Sequence, residues 1–82
     1  MVYRRAVEEA YSIVRAVEVA CGSTAEMEEA LEILEELVSG AAGLDEAAYA
    51  AELLREAADV LRARGCLDWH LLGQAADILE HA

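Results

Sequence analysis

Two cysteines, Cys21 and Cys66, carry the only strongly reactive groups in this chain, and each adjoins a glycine, in Cys21-Gly22-Ser23 and Gly65-Cys66-Leu67. Two thiols can bind a metal, attack an electrophile or bridge. Neither belongs to a CxxC pair and no histidine stands at ligand spacing, so no metal site is expected. Cys66 comes a few residues before a predicted helix, whose dipole would favour the thiolate. A nucleophile also needs a base, and the nearest histidine, His70, projects from the polar face with no carboxylate placed to orient it. No catalytic residue is therefore assigned. A Cys21–Cys66 bridge would close a loop of about 46 residues, worth roughly 4 kcal/mol through the entropy of the unfolded chain. Two separate thiols acting as small apolar residues are the other reading.

The remaining polar side chains offer less. His70 and His81 are three turns apart on one helix, too far to share an ion. Glu28, Glu29, Glu32, Glu35 and Glu36 make one helix face wholly acidic, without the loop carbonyls of a calcium site. That face reads as solubilising. Tyr3 falls on an inner face, while Tyr11 and Tyr49 fall at stripe edges, where tyrosines seal cores. Trp69 and Gly73 lie four apart at a helix margin. Gly73 costs about 1 kcal/mol there relative to alanine, so either a neighbour packs over it or a partner docks on it. Val19, Ala16, Ala48 and Ala63 lie on nominally outer faces. Trp69, Gly73, Val19 and Tyr49 are accordingly the candidate interaction surface.

Positioning these groups falls to helices. The 82 residues are 57% apolar, with seventeen acids against six arginines and no proline, phenylalanine, lysine or asparagine. A net charge of −11 opposes a phosphate backbone, so no nucleic-acid partner is expected. Apolar runs are too short for a bilayer and the start has no secretory h-region, which predicts a soluble, untargeted, cytoplasmic chain with no membrane partner.

Apolar residues recur at spacings of three and four over residues 2–20, 24–38, 46–64 and 68–81. Stop and start signals separate the segments. Ser23-Thr24-Ala25-Glu26 reads as a capping box, Asp45 as a cap with Leu44 stapled to Tyr49, and Leu67-Asp68 as staple and cap. Gly22 and Gly65 read as C-terminal stops. Each segment has one apolar stripe, so the four should close around a shared core as a single domain. Short connections then predict an all-α, antiparallel up-down-up-down four-helix bundle. The alanine-rich stripe of the third helix (Ala47, Ala50, Ala51, Ala57, Ala58) predicts close packing, with an apolar ligand cavity as the alternative.

The agreement of caps, staples, stop glycines and binary pattern resembles computationally designed, de novo four-helix bundles. Trp69-His70-Leu71-Leu72-Gly73 with Ala76 is also similar to the first helix of tetratricopeptide repeats, and Gly43-Leu44-Asp45-Glu46-Ala47 resembles the turn leading into their second helix. That second resemblance implies a peptide-binding helical hairpin. It covers about a quarter of the chain, has alanine where the family has an aromatic, and lacks a 34-residue period.

The functional expectation is a helical scaffold whose role is structural, with no enzymatic activity and no cofactor. The alternative is a small interaction module, a homodimer or a binder of a helical peptide, acting through the Trp69/Gly73 margin.

Overall fold

In the computed structural model, which describes residues 4–81, four helices and no strand are found. They are α1 (Arg4–Cys21), α2 (Ala25–Ser39), α3 (Leu44–Ala63) and α4 (Trp69–Glu80). The expected inner position of Tyr3 lies outside the described residues.

Each helix buries the stripe that its sequence periodicity marks. Val7, Ala10, Val14 and Val17 of α1 meet Met27, Leu34, Leu54, Leu61 and Leu72 in one core. Helices pack in the cycle α1–α2–α3–α4–α1, so every helix has two neighbours. The described residues extend 35 × 18 × 18 Å. Cross-helix contacts fix the register: the Tyr11 hydroxyl donates to Glu35, the Tyr49 hydroxyl to Glu29, and Arg55 pairs with Asp77 and Glu80.

Side-chain volume accounts for the unequal seams. The α3 alanines let its neighbours approach, and the α3–α4 and α2–α3 pairs pack extensively. The α1–α2 pair, whose seam is lined by Tyr11, Leu31 and Val38, packs least of the four neighbouring pairs. Thr24 is the only buried polar residue among those described, and its hydroxyl accepts from the Met27 amide at 3.1 Å.

The helix starts differ from expectation by one or two residues. Thr24, not Ser23, caps α2, because its extended backbone aims the hydroxyl at the third helical amide, whereas the Ser23 hydroxyl turns to the Thr24 carbonyl. α3 starts at Leu44 rather than Glu46, and Asp45 lies inside its first turn. Glu46 explains the shift: its carboxylate accepts from the Gly43 amide at 3.0 Å, which makes Gly43 the cap. The expected staples do not form. Leu44 and Tyr49 are 54% and 48% exposed, and Leu67 is 87% exposed. With Gly43 as cap, the staple positions pass to Ala42 and Ala47, which pack against the core. Asp68 does cap α4, but without a side-chain hydrogen bond.

Candidate functional site

Two glycine stops bring the cysteines together. Gly65 adopts φ +84°, and its turn closes with Cys66 N–H donating to the Leu61 carbonyl at 3.0 Å and Gly65 N–H to Arg62 at 3.1 Å. This double bond pattern at a left-handed residue ends α3 and swings Cys66 back over the last turn. Gly22, at φ +84°, ends α1 immediately after Cys21. The two sulfurs stand at disulfide distance, with Cα atoms 5.8 Å apart. Both cysteines are partly buried against the core.

Neither histidine is turned to the sulfurs. His70 donates from Nδ1 to the Leu67 carbonyl at 3.1 Å, and His81 from Nδ1 to the Asp77 carbonyl at 2.8 Å. Among the described residues, no three His, Cys, Asp or Glu side chains cluster as metal ligands.

The four candidate surface residues do not form one patch. Trp69 is half-buried, with the Arg62 guanidinium 5.1 Å over its ring and the His70 ring edge-on at 6.1 Å. Arg62 thus covers the indole as well as serving the end of α3. Val19 is 85% exposed two residues before Cys21, and Leu67, which follows Cys66, is 87% exposed, so both lie at the end of the molecule where the cysteines meet. Tyr49 lies on α3 well before Arg62, about 20 Å away along the helix axis. There its hydroxyl donates to Glu29 at 2.7 Å, and this bond, followed by the Glu29 charge, raises its pKa above 10.0. Gly73 meets nothing within 4 Å of a built Cβ, so no close packing inside the molecule requires glycine.

A feature that the sequence reading did not single out lies along the loose α1–α2 seam. Glu8, Tyr11, Ser12, Glu35 and Val38 line a groove of about 420 Å³. A second depression, of about 540 Å³, continues from Tyr11 and Glu35 past Leu31 toward Glu28 and Glu32. The Tyr11–Glu35 hydrogen bond, 3.2 Å long, spans the furrow where the two meet. The available signal was Tyr11 at a stripe edge opposite the acidic face. Neither depression touches the α3 alanines.

No protein-family model, curated protein or solved structure matches the chain. Among the described residues, no helix is long and apolar enough to cross a membrane.

Proposed function

We propose that this chain is a helical scaffold of the designed-bundle kind, folded as an antiparallel up-down-up-down bundle in one domain and closed at one end by a Cys21–Cys66 disulfide. The observation that carries this reading is the composition of the core. Every buried side chain among the described residues is apolar except Thr24, and its hydroxyl is occupied in capping α2. Such a core supports the fold and holds no polar constellation for chemistry. The cross-helix contacts support the topology, since Tyr11 meets Glu35, Glu29 meets Tyr49 and Arg55 meets Asp77, each pair running in opposite sequence directions about its loop. A disulfide persists in an oxidising compartment and is reduced in most cytosols, so the bridged form belongs to the former.

The second reading, a small interaction module, is favoured by the exposed Val19, two residues before Cys21, the exposed Leu67, which follows Cys66, and the open surface at Gly73. Light-scattering mass across a wide concentration range separates the two. A constant 8.8 kDa monomer supports the self-sufficient scaffold, and a mass that doubles with concentration supports the module.

A further inference from the structure

We propose that the α1–α2 furrow is a docking groove for a cationic amphipathic helix of another protein. Three observations carry the proposal. The first is shape: a trough with Tyr11, Val38 and Leu31 along it runs between two helices, the setting in which a third helix lays down an apolar face. α2 is 15 residues long, which gives a contact line of about 22 Å.

The second is charge. Glu28, Glu29, Glu32, Glu35 and Glu36 are exposed along α2, a helix without a basic residue, and none of them has an ion-pair partner among the described residues. Two of the three arginines of α1 turn to their own helix, Arg4 to Glu8 at 2.9 Å and Arg15 to Glu18 at 3.7 Å. Like charges at Glu28/Glu32 and Glu32/Glu36 repel across one turn, and Glu35 and Glu36 lie at the negative end of the α2 dipole. Cations docked along this face relieve both penalties.

The third is the kind of partner excluded. A second copy of this chain carries the same charge of −11 and brings only six arginines, so self-pairing through an acidic groove is opposed. The occupant is therefore a different chain with apolar side chains on one face, for Tyr11, Leu31 and Val38, and Lys or Arg at its flanks. This groove is distinct from the Val19/Leu67 end and does not depend on whether the chain self-associates there.

The test is fluorescence anisotropy of a labelled helical peptide of Lys, Arg and Leu in amphipathic order, against a scrambled peptide of identical composition. Ser12→Trp fills the groove from an exposed position without changing charge, and Glu28→Gln/Glu32→Gln/Glu36→Gln removes charge without touching the apolar residues. Circular dichroism checks that both variants keep their helices. The expected result is saturable binding that weakens at least about tenfold with Ser12→Trp, with the triple variant at low salt and with the scrambled peptide. Equal binding of ordered and scrambled peptides, or an unaffected Ser12→Trp protein, would reduce the furrow to a nonspecific acidic surface and overturn the proposal. So would the absence of saturable binding up to about 1 mM peptide.

Discussion

Reducing the Cys21–Cys66 bridge should remove a large share of this protein's stability. The bridged residues are 45 apart in sequence, and the loop-closure relation assigns such a loop about 4 kcal/mol at room temperature. The Cα separation of 5.8 Å falls inside the usual span of roughly 4.4–6.8 Å, so the backbone needs no rearrangement to hold the bond. An 82-residue chain has about 4–12 kcal/mol in total, so the loss is decisive. With a guanidinium dependence of about 2 kcal/mol per molar, the unfolding midpoint should fall by about 2 M. Heat should show the same change as a melting temperature lower by roughly 20 °C, from an unfolding entropy of about 0.17 kcal/mol/K. The assay is guanidinium unfolding followed by circular dichroism, with and without reductant, beside a Cys21→Ala/Cys66→Ala control whose midpoint reductant should not move. Free thiols titrated in the untreated native protein would refute the bridge. A midpoint unchanged after complete reduction would refute the loop-entropy argument while leaving the bridge in place.

Two further substitutions probe the surface. Gly73→Ala should stabilise α4 by about 1 kcal/mol, because the added Cβ meets open space while the backbone loses the freedom glycine has when unfolded. A lower unfolding midpoint for that variant would show that the glycine is needed by a contact inside the folded molecule. The Tyr49 phenol should titrate above 10.0 in ultraviolet absorbance, and Glu29→Gln should bring it back toward that value, since Glu29 supplies both the hydrogen bond and the nearest charge. A raised folded-state pKa means that the folded chain holds the proton more tightly. The stability from this contact is therefore complete below the unfolded-state value and is lost as the pH rises through the folded-state value. An unaltered Tyr49 titration in Glu29→Gln would assign the shift to desolvation and to the charges of Glu56 and Glu52 instead.

The four helices were legible in sequence because a 3.6-residue period and its stop glycines are local properties. Val7, Val14, Leu34, Leu54, Leu61 and Leu72 are buried where the stripes place them. Helix starts were less legible, since Ser23 and Thr24 carry the same capping hydroxyl and only the extended backbone at Thr24 selects between them. The α3 start turned on Glu46 reaching back to Gly43, a contact that depends on where the loop from Ser39 delivers the chain.

What needed the tertiary structure is whatever joins residues distant along the chain. Sequence could put Cys21 and Cys66 at helix ends, but the distance between them follows from how α1 and α3 lie in the packed molecule. The charge of α2 was plain in its composition, whereas the furrow beside it lies along the seam lined by Tyr11, Leu31 and Val38, where α1 and α2 pack less extensively than the other neighbouring helices. Periodicity along one helix specifies which face turns inward. The width of the seam between two helices is set by the volumes of side chains from both, and it takes a value only when they pack.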